Sequence, residues 1–171
     1  MDPDFLLLRR MRQGDEGAVE TFVRKYYPAV LGYCRCHLDC PQEAEDLTQE
    51  TFARFFGALD RYRHRGKAAN YLYVIAGNLC KDYYRKVFPL PLDGQPEPAD
   101  HPLDTLEDRL DLEAAFRALP EDLREAAVLY FLQECRQREI AKILDIGLPL
   151  VKYRIRRARE LLAHHLRKEA F

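Results

Sequence analysis

From Val151 onward, apolar side chains recur at steps of three and four: Val151, Ile155, Ala158, Leu162, then His165 or Leu166. That spacing predicts a helix beginning near Pro149 with one buried side. Lys152, Arg154, Arg156, Arg157 and Arg159 fall mostly on its other sides. Just upstream, Glu139, Ile140, Ala141, Ile143 and Leu144 predict a short amphipathic helix. Asp145-Ile146-Gly147 then supplies a break, with Gly147 suited to the positive φ that ends a helix. Two helices joined by a tight turn, the second one basic, form the helix-turn-helix pattern.

The same reading covers the rest of the chain. Residues 4–13 and 15–38 show helical spacing, with Asp15 as N-cap and Phe22, Tyr26, Val30 and Tyr33 as the inner stripe. Pro28 falls inside the second of these and predicts a kink or a boundary. After the break at Asp39-Cys40-Pro41, a strongly patterned helix places Ala44, Leu47, Thr51, Phe55 and Leu59 inward. Glu43, Asp46, Gln49, Glu50 and Arg54 are left for another surface. Phe52 and Phe56 widen the apolar arc beyond what a small bundle must bury, which points to a partner surface. A basic loop, residues 61–67, leads into a helix over 68–86. Residues 87–105 hold five prolines and no helical period. Helical spacing resumes at Leu106, with Leu119-Pro120 separating two further helices. No stretch alternates as a strand does, and no repeat is present. The expected fold is all-α: two small helical domains, 1–88 and 106–171, joined by a Pro-rich acidic linker over 89–105, the C-terminal domain being the helix-turn-helix.

Composition changes this picture in one respect. Apolar residues make up 47 % of the chain, enough for a real core, and the formal net charge is -1. Near-neutrality is an average, because acid is concentrated between Asp93 and Glu113. Between Asp145 and Glu169, by contrast, Glu160 is the sole carboxylate among many cations. A solvated helix usually interleaves signs; an unpaired positive face suits a polyanion, whose counterions it releases. Tyr71, Tyr73, Tyr83 and Tyr84 are interleaved with Arg63, Arg65, Lys67, Lys81, Arg85 and Lys86. Such rings either stack on unpaired bases, with the cations following phosphates, or belong to the core.

Other chemistry is sparsely signalled. The leucine run near the N-terminus is too short for a signal segment, and no apolar stretch reaches the length of a membrane span, so a cytoplasmic protein with reduced thiols is expected. CRCHLDC crowds Cys34, Cys36, His37 and Cys40 into seven residues. On a helix, however, Cys36 and Cys40 share one face and Cys34 and His37 another, against a single tetrahedral metal. No metal and no cofactor are expected. No phosphate loop, nucleophile elbow or helical His-Glu-x-x-His occurs, and His37, His64, His101, His164 and His165 are scattered, so an enzyme is not expected.

Three stretches in this order resemble a known family. AEDLTQETFARFF (44–56), YLYVIAGNLCKDYYRK (71–86) and LPEDLREAAVLYFLQECRQREIAKIL (119–144) with the following VKYRIRRAREL are similar to motifs of the extracytoplasmic-function sigma factors of the sigma-70 family. The resemblance spans nearly the whole chain. It implies a transcription-initiation subunit that recruits core RNA polymerase through its β′ clamp and β flap, reads promoter DNA, and leaves an anti-sigma factor open as a further partner. By the resemblance, Asp46, Gln49, Glu50, Thr51, Phe52 and Phe55 bind polymerase. Arg65, Gly66, Lys67, Asn70, Tyr71, Tyr73, Asn78 and Arg85 take the melted minus-10 strand, and a flipped base costs a few kcal/mol of unstacking. Leu150, Lys152, Tyr153, Arg154, Arg156 and Arg157 read the minus-35 duplex. Two positions depart from the family pattern. Tyr71 stands where Trp is usual, keeping a stacking face of smaller area. Gly147-Leu148-Pro149-Leu150 replaces the usual Pro-x-Gly-Thr, so Leu150 stands in place of a hydroxyl. The competing readings are a helix-turn-helix regulator acting without polymerase and a helical interaction protein.

Overall fold

The computed structural model describes residues 2–87 and 108–169; the linker expected over 89–105, and His101 within it, lie outside the described residues. Eight α-helices and no strand occur among the described residues. None of these helices is long and apolar enough to cross a membrane.

The N-terminal half is built around aromatic rings. Helix α1 (Pro3–Arg12) starts from Asp2, whose carboxylate accepts the Asp4 N–H at 3.0 Å. It lies against α2 (Glu16–His37) through buried Leu8 and Met11 and through buried Asp4, which meets Lys25 Nζ at 2.6 Å and the Tyr26 hydroxyl. Asp15 caps α2 as expected, accepting the Ala18 N–H at 3.1 Å. The helix continues through Pro28, so this proline marks no boundary. Phe22 is fully buried, stacked on Phe55 of α3 (Pro41–Gly57) with ring centroids 4.9 Å apart. Phe52 is only 5 % exposed and packs near Phe22 and Tyr27. The apolar arc that looked surplus in the sequence is therefore largely internal at Phe52, because α2 contributes enough aromatic surface to enclose it; Phe56 is half-buried. Helix α4 (Ala68–Val87) buries Leu72, Tyr73, Ala76, Leu79 and Cys80. A Cβ on Gly77 would stand 3.0 Å from the Tyr33 hydroxyl, so the absence of a side chain there sets how closely α2 and α4 approach.

The C-terminal half comprises α5 (Asp108–Arg117), α6 (Glu121–Ala127), a π-helical turn (Val128–Leu132), α7 (Gln137–Leu144) and α8 (Leu148–Glu169). The single helix expected over 121–135 is thus interrupted by the π turn, after which Glu134 adopts φ 53°. Val151, Ile155 and Ala158 are buried as their spacing predicts, whereas Leu162 is half-buried and Leu166 exposed near the end of the helix. The turn between α7 and α8 differs from expectation. Asp145, not Gly147, takes the left-handed conformation, at φ 53° and ψ 49°. Asp tolerates this region through its short polar side chain, and the Asp145 and Ile146 N–H groups both return to the Ala141 carbonyl. The two halves touch where α2 meets α5 and the π turn and where α4 meets α7.

His37 ends α2 in this contact zone. It is buried, its ring lies 4.4 Å from that of Tyr33, and its Nε2 has no hydrogen-bond partner among the described residues. Burial, with Arg124 and Lys81 nearby, lowers its pKa from 6.5 to about 3. An imidazole kept neutral by folding lets the unfolded chain bind a proton that the folded chain does not. Its contribution is therefore fully present above about pH 6.5 and lost as pH falls towards 3. Between pH 7 and pH 5 the parent should lose about 2 kcal/mol more stability than His37→Gln, measured by urea unfolding; parallel pH slopes for the two proteins would contradict the assignment.

Candidate nucleic-acid interface

Helix α8 sorts its basic residues by direction. Lys152, Tyr153, Arg156 and Arg157 are exposed, with Tyr153 50 % and Leu150 40 % accessible. The Arg156 guanidinium lies 5.8 Å from the Tyr153 ring centre, which steadies it by cation–π attraction. Arg157 pairs with Glu160 at 3.0 Å on the open surface, an interaction of small net worth. Arg154 differs from these: its side chain is 17 % exposed and reaches Asp122 of α6 at 4.0 Å.

The loop ahead of α4 exposes Arg65, Gly66 and Lys67, with Gly66 at φ 102°, a conformation that favours glycine. Asn70 and Tyr71 are half-buried, and Asn78 and Arg85 are exposed. The Tyr71 ring stacks on Tyr62 at 5.1 Å and 18°, extending the aromatic cluster from Phe55 towards the surface. Tyr73 is only 4 % exposed. On α3, Asp46, Gln49 and Glu50 form an exposed polar strip, Asp46 accepting from Gln42 at 3.2 Å and Glu50 pairing with Arg54 at 2.9 Å. Thr51, Phe52 and Phe55 from the same motif are buried, and the Thr51 hydroxyl donates to the Leu47 carbonyl.

Polar groups of the C-terminal half reach this region. The Tyr73 hydroxyl donates to Gln133 Oε1 at 2.8 Å, and Gln133 Nε2 donates to the Ala29 carbonyl at 3.1 Å. Glu139 accepts the Arg136 N–H at 2.8 Å at the start of α7 and stands 3.6 Å from Lys67 Nζ. Burial raises its pKa, but the Arg136 N–H, Lys67 and Asn70 outweigh that and hold the carboxyl below its ordinary range. Lys81 pairs with buried Glu125 at 2.7 Å. Arg117 Nη1 donates to the Arg35 carbonyl at 2.8 Å while its Nε meets Asp39 at 3.3 Å.

The cysteine-rich stretch does not gather into a metal site. Cys34, Cys36 and His37 are buried on α2, and Cys40 is exposed ahead of α3. Burial pushes the Cys36 thiol up to about 12, so it stays protonated. Among the described residues, the ligand-type atoms that converge within 4.8 Å belong to Asp2, Asp4 and His64. There Asp4 is already neutralised by Lys25 and His64 engages Tyr62 at 3.1 Å.

Two family models match the chain: Sigma-70 region 2 over residues 22–87 and Sigma-70, region 4 over 109–162. The RNA polymerase sigma-H factor of Pseudomonas aeruginosa is 32 % identical over 94 % of this chain and 92 % of its own. The ECF RNA polymerase sigma factor SigW of Bacillus subtilis is 31 % identical over 94 % and 95 %. The chain belongs to the extracytoplasmic-function sigma factors of the sigma-70 family. Two solved structures share the fold of this sigma factor. CnrH, in complex with the cytosolic domain of CnrY, has a TM-score of 0.77 at 22 % identity over 98 % of this chain and 99 % of its own. RpoE of Bartonella quintana, in complex with the anti-sigma factor NepR, gives 0.69 at 23 % over 86 % and 96 %. The sigma factor is thus the subunit that brings core RNA polymerase to promoter DNA.

Several residues that shape the site carry no local signal in the sequence. Gln133 bonds across 60 and 104 residues, to Tyr73 and Ala29, distances over which periodicity is silent. Glu139 closes only half of a capping box, accepting the Arg136 N–H, and the arginine at the N-cap hides that role from the sequence pattern. In the free sigma factor, Gln133→Ala leaves the buried Tyr73 hydroxyl without its acceptor, at a cost of roughly 1–3 kcal/mol. We expect a lower urea midpoint and a larger radius of gyration by small-angle X-ray scattering. An unchanged radius and midpoint together would mean that this amide does not fasten the halves.

Proposed function

We propose that the sigma factor uses three surfaces in turn. The exposed strip Asp46, Gln49 and Glu50, backed by buried Thr51, Phe52 and Phe55, docks α3 on the clamp of the polymerase β′ subunit, while the C-terminal half also meets the β flap. Lys152, Tyr153, Arg156 and Arg157, with Leu150 at the helix start, anchor α8 in the minus-35 major groove, where an Arg bidentate to guanine discriminates by about 1–3 kcal/mol. Arg65, Gly66, Lys67, Asn70, Tyr71, Tyr73, Asn78 and Arg85 then capture the melted minus-10 strand.

The observation that carries this reading is the sorting of charge on α8: buried Val151, Ile155 and Ala158 on one side and exposed cations on the other, with few carboxylates to neutralise them. Two residues enter with altered roles. Arg154, 4.0 Å from Asp122 in the free chain, contacts DNA once it turns away from that carboxylate. Tyr73 reaches the strand only once Gln133 has released it. Opening of the two halves thus belongs to the working cycle, and an anti-sigma factor is the class of partner that would oppose it. The chain carries no catalytic step of its own in this scheme and acts in the cytoplasm with polymerase.

Run-off transcription with reconstituted core polymerase on a randomised promoter library tests the reading. The parent should initiate well above core polymerase alone on a subset sharing two elements; absence of any such template would refute it. Asp46→Ala with Glu50→Ala changes only exposed groups, and should weaken core binding about tenfold or more, as expected for loss of two polar anchors at an interface centre. Binding of the minus-35 duplex by the same variant should remain at the parental level.

A further inference from the structure

The loop that presents Arg65, Gly66 and Lys67 contains a short turn over residues 58–62 and no helix of its own. Its position is nevertheless set from two points on α1. At one end, Arg12 Nε donates to the Leu59 carbonyl at 3.2 Å and its Nη2 to the Tyr62 carbonyl at 2.5 Å. At the other, Asp2 Oδ2 meets His64 Nε2 at 2.6 Å, and His64 Nδ1 meets the Tyr62 hydroxyl at 3.1 Å. One tautomer satisfies both contacts: Nε2–H donates to Asp2 while Nδ1 accepts from Tyr62. The Asp2 carboxyl is held below its ordinary range by His64 first and by the Asp4 N–H second.

A ten-residue helix spans about 15 Å, so α1 and its N-cap Asp2 hold the loop at residues 59, 62 and 64 with a single rigid rod. The rod is itself fixed to the bundle by the Asp4–Lys25 pair, the Tyr26 hydroxyl and buried Leu8 and Met11. Tyr62, held by backbone and hydroxyl alike, lies under Tyr71 as a nearly parallel ring. Helix α1 precedes the residues matched to region 2, whereas the loop it holds lies within them.

We propose that α1 is a splint for the strand-capture loop, and that Asp2, Arg12 and His64 are positioning residues for promoter opening. They touch no base. They act by fixing Tyr62 and the loop backbone, so that an unstacked base meets a platform already ordered and less conformational freedom is lost on capture. The inference rests on the assignment of residues 65–78 to strand capture.

The test uses holoenzyme and a promoter selected from the library, with 2-aminopurine in the non-template minus-10 strand. Arg12→Ala, His64→Ala and Asp2→Ala should each slow the fluorescence rise of opening about 3- to 10-fold, the kinetic equivalent of one or two lost hydrogen bonds. Core binding and minus-35 duplex binding should stay within about twofold of the parent, as for sites lying away from those contacts. Asp2→Asn keeps an acceptor for His64 and should restore the parental rate, and the Asp2→Ala/His64→Ala double variant should be no slower than the slower of the two single ones. Parental opening rates in Arg12→Ala and His64→Ala overturn the splint, as does equal loss of core and duplex binding. A parent that initiates while Lys67→Ala and Asn70→Ala both open the promoter at its rate overturns the strand-capture assignment itself, and the splint with it.

Discussion

Helices α2 and α4 each have to satisfy two neighbours, and the rest of the structure depends on how they divide their surfaces. One side of each serves the aromatic core around Phe22 and Phe55. The other meets the C-terminal half: α4 through the Tyr73 hydroxyl and the Lys81 ammonium, α2 through the Ala29 and Arg35 carbonyls. A buried hydroxyl without an acceptor is costly, so Gln133 has to arrive at one place and in one orientation. Its second contact, to the Ala29 carbonyl, fixes that orientation. The π turn just before Gln133 supplies the geometry, since an ordinary α-helical turn there would aim the amide elsewhere.

Charge follows the same division. The chain is close to neutral overall, yet its acidic groups at the contact between halves, Asp39, Asp122, Glu125 and Glu139, each stand opposite a basic one. Three of those four pairs join the halves, and Arg154–Asp122 lies within the C-terminal one. Most involve at least one partly exposed member and are individually modest. Being partly exposed, they weaken together as salt screens them.

Much of this fold was legible in the sequence because helical periodicity reports the buried side of each helix directly. The stripes Phe22, Tyr26, Val30, Tyr33 and Val151, Ile155, Ala158 are all buried. What periodicity leaves unread has definable reasons. Phe52 looked surplus since a single helix cannot reveal how much aromatic surface its neighbours offer. The positive φ fell to Asp145 because the helix ended two residues sooner than glycine placement suggested. Arg154 and Arg157 lie three residues apart, too close for periodicity to separate a residue that leans on α6 from one facing water. Contacts spanning 60 residues or more, including Asp2 with His64 and Gln133 with Tyr73, leave no trace in local pattern.

The distribution of thiols has a practical consequence. Four of the five cysteines are buried, and Cys40 is exposed beside Asp39, the residue that Arg117 reaches from the other half. A maleimide dye would thus find one ready attachment point on the native protein, at the edge of the contact between halves. The chain carries its own reporter position, from which separation of the two halves can be followed optically without first engineering the other cysteines away.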